Sequence, residues 1–232
     1  MQDEERIRYA VERTQVARMP EQTLATFGLT TIDYFMLTEP VYSEIMDSAG
    51  ETVVRQGKVI AEKPKIVTPY YLMNLFEGFE HGREYARFMM GEYGPHEAGL
   101  LYRYRNEPSE MSIVSSPIQS VAENINRRID DERNNLAAII IGVDELWDVS
   151  LMKFIHDITF NSLRHNMMEL GSRRLLGSGA SGVPRFARAS IEHLFAEAAR
   201  ERSRVAELEI ELRRWGLFAE YEDRFLDLFR KH

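Results

Sequence analysis

Five arginines crowd one stretch of the chain: Arg164, Arg173, Arg174, Arg185 and Arg188. They form a locally basic band in a chain whose formal net charge is −8. Between them runs Gly171–Gly182, GSRRLLGSGASG, rich in Gly and Ser, followed by Val183-Pro184. Proline suits the first turn of a helix, so a helix restarts there. The first N–H groups of a helix lack intrahelical acceptors, and guanidinium forks match phosphate or carboxylate oxygens in pairs. The band therefore reads as an anion site for a phosphate, a nucleotide or an RNA backbone. The same composition also describes a flexible linker whose arginines point into water.

The second group is acidic. Asp144, Glu145 and Asp148 follow the apolar run Ala137–Ile141 and Gly142. Asp144 and Asp148 are one turn apart and are weak metal candidates, because a metal needs three or more converging ligands and His156 lies two turns further on. The segment Ile139–Glu145 superficially resembles a Walker B strand, apolar residues and then Asp-Glu. The GxxxxGK[ST] loop that would cradle the phosphates is absent from the sequence, so the carboxylates read as favouring the positive end of a helix. With no Cys, disulfides, thiolate nucleophiles and Cys-ligated zinc are excluded. No GxSxG or HExxH spacing occurs, and His156, His165 and His193 read as surface or capping residues. Tyr102-Arg103-Tyr104-Arg105 could stack single-stranded bases, but reads as a helix with Tyr inward and Arg outward. No cofactor is expected, and the acidic balance argues against a nucleic-acid partner.

These groups need a frame. Hydrophobic residues at 44% and charged residues at 28% are those of a folded globular chain, which rules out wholesale disorder. Ala137–Leu170 reads as a central helix, with Trp147, Leu151, Phe154, Ile155 and Ile158 on one stripe. Ahead of it, Asp3–Arg13 predicts a short helix, stopped at Met19-Pro20. Thr30–Thr38 predicts a strand with Ile32, Tyr34 and Met36 on one face. Val41–Ser48 predicts a short helix closed by Gly50. Thr52–Val67 predicts a hairpin turning at Gln56-Gly57, with Pro64 confining Lys63–Val67 to an edge. Thr68-Pro69 opens a run of helices over 70–76, 80–93 and from Pro95 through Leu100, Leu101 and Tyr104 to Pro108. Met111–Val114 predicts a short strand. Ser116-Pro117 opens a helix carrying Ile118, Val121, Ala122, Ile125 and Ile129.

At the end of the chain Ile191, Leu194, Ala198, Val205, Leu208, Leu212 and Trp215 alternate by three and four, a seam that only Glu201 breaks. That predicts a coiled-coil-like helix. Phe218, Tyr221 and Phe225 continue its apolar face. This face, Ile191 to Phe225, is the expected interaction surface, burying itself on its own domain, a second copy or a partner protein.

The expected fold class is α+β and predominantly helical. It has a small antiparallel sheet in 1–68, a helical core in 69–170, a Gly/Ser/Arg loop or linker in 171–183 and a helical arm in 184–232. The expected function is a non-catalytic interaction or regulatory protein assembling through that arm, as a homo-oligomer or with a protein partner. The alternative is an anion-binding protein or phosphoester-processing enzyme using the Arg band. The charged start MQDEERIRYAVERTQ lacks the apolar core of a signal peptide, and no run approaches the length of a membrane helix, so a cytoplasmic protein is expected.

Overall fold

The computed structural model describes residues 2–41, 50–68, 71, 91, 99–177 and 183–230. The chain divides into two compact units. One holds Met1–Pro64 and Tyr102–Met167, the other Lys65–Leu101 and Met168–His232. The α+β class expected from the sequence holds, but the sheet is not confined to the first 68 residues. It reaches from Gln15 to Gly142.

The first unit is built on β1 (Gln15–Arg18), β2 (Thr30–Thr38), β3 (Thr52–Ala61), β6 (Tyr104–Val114) and β7 (Ala137–Gly142). Their order across the sheet is β1-β7-β2-β3-β6. β1 is antiparallel to β7, β2 to β3 and β3 to β6, whereas β2 and β7 are parallel. The sheet is therefore mixed. β6 and β7 run the same way, and parallel strands need a long crossover. The helix α2 (Ile118–Glu132) supplies it.

Side chains alternate across a strand, so β2 feeds two cores. Ile32, Tyr34 and Met36 join Val59, Ala61, Ala138 and Ile140 beneath Leu151, Phe154 and Ile158 of α3 (Trp147–Ser172). Phe35 and Leu37 join Val54, Ala137 and Ile139 beneath Val121, Ala122, Ile125 and Ile129 of α2. The result is a helix–sheet–helix sandwich. The short helix α1 (Gln2–Arg13) precedes it, with Ala10 as its buried residue.

Three expectations are corrected here. Ala137–Ile141 is not the start of the central helix but the body of β7, and the helix begins at Trp147. An apolar run this short has no period that separates strand from buried helix. Gln56-Gly57 is not a turn. β3 passes straight through it, Gly57 opposite Tyr34, and a Cβ there would stand 2.5 Å from Tyr34 Oη and 2.8 Å from the Glu107 carbonyl. The glycine makes room for a tyrosine ring. The segment read as a helix through Leu100 and Tyr104 is two strands, β5 (Gly99–Leu101) and β6. Its Tyr-Arg alternation has period two, which is the strand period. Tyr102 and Tyr104 stack with centroids 6.4 Å apart, and the Tyr104 hydroxyl bonds Thr159. The helices expected over 70–93 and at Val41–Ser48 lie outside the described residues, save for Tyr71, Gly91 and Val41.

The second unit holds β4 (Lys65–Val67) paired antiparallel with β5, and the helices α4 (Arg185–Ala198), α5 (Val205–Arg214) and α6 (Phe218–Arg230). Thr68 Oγ1 accepts the Tyr71 N–H at 3.2 Å, the N-cap bond its position predicts. Its core gathers Val67, Tyr71, Ile191, Phe195, Leu208, Leu212 and Trp215. One carboxylate is buried among them. Glu211 accepts from Lys65 Nζ at 2.7 Å, from Arg214 at 3.1 Å and from the Tyr71 hydroxyl at 3.1 Å. Buried charge costs several kcal/mol unless paired, and these partners offset that cost.

Candidate functional site

The parallel strands β2 and β7 lie side by side, yet the chain leaves their carboxyl ends in different directions. From β2 it proceeds to the antiparallel β3, and from β7 through a short 3-10 turn, Asp144–Leu146, into α3. In open sheets, a crevice opens at the carboxyl edge where neighbouring strands part company, and ligands favour it. The residues at this edge carry charge. Thr38, the last residue of β2, donates to Asp144 Oδ1 at 2.7 Å. Arg55 reaches over from β3 and donates to the same Oδ1 at 2.7 Å and to Thr38 Oγ1 at 3.0 Å. Its guanidinium lies 5.7 Å from the centre of the Trp147 ring. The Arg55 and Asp144 side chains are 18% and 16% exposed, so the pair is largely withdrawn from water. Glu145 beside it takes a looser, exposed bond of 3.4 Å from Arg6.

A cavity of about 450 Å³ opens at this edge. It is lined by apolar residues, Pro40, Val41, Ile118, Ile141 and Val143, and by polar ones, Tyr9, Arg13, Glu39, Asp144 and Glu145. The strand ends can come this close to α3 because Gly142 has no side chain. A Cβ there would fall 2.6 Å from Ser150 Cβ and closer still to its hydroxyl.

The Asp144 carboxylate faces the Arg55 guanidinium, and among the described residues no group of three or more His, Asp and Glu could hold a metal ion. Asp148, the second candidate, is exposed in the first turn of α3. The strand-then-carboxylate pattern of Ile139–Glu145 is real in the fold, and Asp144 and Glu145 also open a helical segment.

The Arg band is divided between the two units. Arg164 is exposed on α3 within the first unit, and the other four belong to the second. Arg188 is forked onto Glu220 of α6 at 2.6 and 3.0 Å, which raises its pKa above the ordinary guanidinium value. Arg173 pairs with Glu169, one turn earlier, at 3.2 Å. Arg174 has a left-handed backbone, φ 55°, where α3 unwinds. Arg185 opens α4, its N–H donating to the Gly177 carbonyl at 3.1 Å. Two of the five arginines are thus held by carboxylates.

The expected interaction face points inward. Ile191, Leu208, Leu212, Trp215 and Phe225 are core residues of the second unit, and Leu194, Val205, Phe218 and Tyr221 pack half-buried against them. The heptad seam does not lie on one helix. α4 ends at Ala198, and a turn and a 3-10 segment, Arg202–Arg204, intervene before α5. The polar stretch Arg200–Arg204 has nothing to bury, so the helix breaks and the two halves of the seam pack on each other.

One spacing escaped the sequence reading. Ser150-Leu151-Met152-Lys153 has the S-x-x-K form of a serine nucleophile and its lysine base. The structure closes it off. Ser150 is fully buried, accepts the Thr14 hydroxyl at 2.7 Å and lies against Gly142, while Lys153 is bonded to Asp157 at 2.7 Å. The crevice was also hidden, since its lining comes from residues as far apart as Tyr9 and Glu145, and of its charged residues only Asp144 and Glu145 carried a signal. The His156 and His193 side chains are exposed and make only surface pairs with Asp157 and Glu197. No helix among the described residues is long and apolar enough to cross a membrane. Set against models of known protein families, curated proteins and solved structures, the chain matches none.

Proposed function

We propose that the protein is a non-catalytic binding protein whose ligand occupies the crevice at the carboxyl ends of β2 and β7. The observation that carries this reading is the withdrawn Thr38–Asp144–Arg55 set beside a cavity of mixed apolar and polar lining. Small-molecule sites have this make-up, apolar walls with a few placed polar groups. The apolar lining suits the apolar body of a small organic molecule, and the charged lining, Arg13 with Glu39, Asp144 and Glu145, suits a polar or zwitterionic head. A thermal-shift screen with amines, amino acids and carboxylates tests it. Compounds that stabilise the protein should lose their effect in Val41→Arg, which fills the cavity from an exposed position. No stabilising compound, or an undiminished effect in the variant, rejects the reading.

Assembly is the second part of the proposal, with the cytoplasm as its setting, which cell fractionation checks. It is supported by large apolar residues exposed on helices, among them Ile210 of α5 and Leu226 and Phe229 of α6. Removing everything after Gly182 would not test it, because Val67 and Tyr71 share one core with α4–α6. The substitutions Leu226→Glu and Phe229→Glu replace exposed residues, with circular dichroism to check the fold because the Phe229 ring touches Phe225 of that core. Loss of a multimer on making them supports this face, and a wild-type chain of 27.0 kDa at all concentrations rejects assembly. An anion at the Arg band would rest on Arg174 and Arg185. Stabilisation by phosphate that survives Arg174→Ala with Arg185→Ala would remove that alternative.

A further inference from the structure

We infer that the outward face of α3 is a self-association surface on which a second copy of this chain packs antiparallel. The inference rests on the assembly part of the proposal above, places it on α3 rather than on the α5 and α6 residues, and does not depend on the ligand crevice. α3 is apolar on two opposite sides. Leu151, Phe154 and Ile158 face the sheet. On the other side Met152, Phe160 and Leu163 stand 57%, 71% and 38% exposed. At about 100° per residue, these three and His156 fall on one stripe running along the helix. A helix with a single buried face has polar residues on the other, and one apolar all round is covered all round.

Charge identifies the cover and its direction. Asp157 and Arg164 lie seven residues apart, so they occupy the same flank of the stripe. Two copies of the helix paired antiparallel about a twofold axis near Phe160 bring same-flank residues together. Asp157 of one copy then meets Arg164 of the other, twice, while Phe160 and Leu163 interleave across the axis. A parallel pairing would put this flank of the two copies on opposite sides of the interface, so that neither Asp157 nor Arg164 would meet an opposite charge from the other copy's flank. The Asp157 carboxylate is already ordered for this by Lys153 Nζ at 2.7 Å and His156 Nδ1 at 3.3 Å. Burial pushes its pKa up, but those two bonds outweigh it and hold the carboxyl below its ordinary value. From Met152 to Leu163 the stripe is about 17 Å long at 1.5 Å per residue. That is short for the roughly 800 Å² per partner of stable complexes, so the association is weak, with a micromolar dissociation constant.

Sedimentation equilibrium of the full chain, at concentrations from about 5 to 500 µM to bracket that affinity, tests the inference. The wild-type mass should rise from 27.0 kDa toward twice that value, and Phe160→Glu should hold it at 27.0 kDa. Asp157→Arg alone and Arg164→Asp alone should each weaken the dimer about tenfold, and the two together should restore it to within about threefold, since like charges face in each single and opposite charges in the pair. All these positions are on the helix surface, and circular dichroism checks that the fold is kept. A dimer abolished by Leu226→Glu with Phe229→Glu but unmoved by Phe160→Glu overturns this surface and leaves assembly standing. A double charge swap that fails to restore the dimer overturns the antiparallel arrangement. A wild-type chain that stays monomeric overturns the surface and assembly together.

Discussion

The Arg55–Asp144 pair invites a double-mutant cycle, with Arg55→Met, Asp144→Asn and both together. Methionine keeps an apolar stem near Trp147, and the amide introduced at position 144 can still accept from Thr38. The cycle therefore removes charge with little loss of shape. With charge centres about 4 Å apart and an effective dielectric of about 20, the attraction amounts to about 4 kcal/mol. Part of this is offset because neither group is fully solvated, and both keep some contact with water. A coupling energy of about 2 kcal/mol is expected, with each single substitution costing about 2–3 kcal/mol because it strands the other charge. A fully exposed pair would show about 0.2–1 kcal/mol. The chain has two tryptophans, Trp147 in one unit and Trp215 in the other. Urea unfolding followed by Trp147 fluorescence, in a common Trp215→Phe background, reports the first unit by itself. At about 2–4 °C per kcal/mol for a chain of this size, each single variant should also melt about 4–12 °C lower. Additive single effects, with a coupling below about 0.5 kcal/mol, would show that the pair is worth no more than a surface ion pair and that the crevice is not preorganised by it.

Three further outcomes are expected. Gly57→Ala should cost about 1–3 kcal/mol by urea titration, because its Cβ meets the Tyr34 ring and a carbonyl of β6, and an unchanged midpoint would mean that the ring has somewhere else to go. Glu211→Ala should destabilise the second unit by about 2–3 kcal/mol, read from Trp215, the cost being moderated because Lys65 and Arg214 can turn to water. A first-unit origin for its effect would contradict the placement of that carboxylate. Burial, with Tyr104 beside it, pushes the Tyr102 phenol up to about 12, the nearby Asn166 amide pulling the other way. Its folded pKa exceeds its unfolded one, so its contribution is complete below about pH 10 and is lost as pH rises to about 12, amounting to about 2 kcal/mol. Base titration should therefore unfold the wild type before Tyr102→Phe. At neutral pH that substitution should change stability by less than about 1 kcal/mol, because the buried hydroxyl has no well-formed hydrogen bond to lose.

Where periodicity was clean, the sequence declared the fold. β2 alternated, α2 carried Val121, Ala122, Ile125 and Ile129 at helical spacing, and both formed as expected. It failed where one residue type serves two purposes. Gly57 looked like a turn because glycine permits turns, but it was there to admit Tyr34, which lies on a strand that no local window includes. The heptad seam was correctly apolar, but its spacing could not say whether one helix or two would carry it. The pairing within the Arg band was hidden for a related reason. Arg188 finds Glu220 thirty-two residues away, a partner that only tertiary structure supplies. Of the crevice's charged residues, Asp144 and Glu145 were visible, and for Asp144 the sequence suggested a metal or a helix start rather than an arginine on β3.

The interleaving of the two units has a consequence for how the chain is made. The strand β3 ends one unit's first segment at Pro64, and the next residues, Lys65–Leu101, belong to the other. A ribosome delivers those residues long before α4, α5 and α6, the helices that close their core. At about 5–20 residues per second, Val67 and Tyr71 wait on the order of 7–30 s for Leu208, Leu212 and Trp215 to emerge. The sheet is delayed too, since β7 must insert beside β2 only after β6 and α2 have been made. During that interval apolar segments of both units are exposed together on one nascent chain. Neither unit corresponds to a contiguous stretch of the coding sequence, so no simple fragment reproduces either one, and the order of synthesis, not only the final contacts, decides how safely this protein folds.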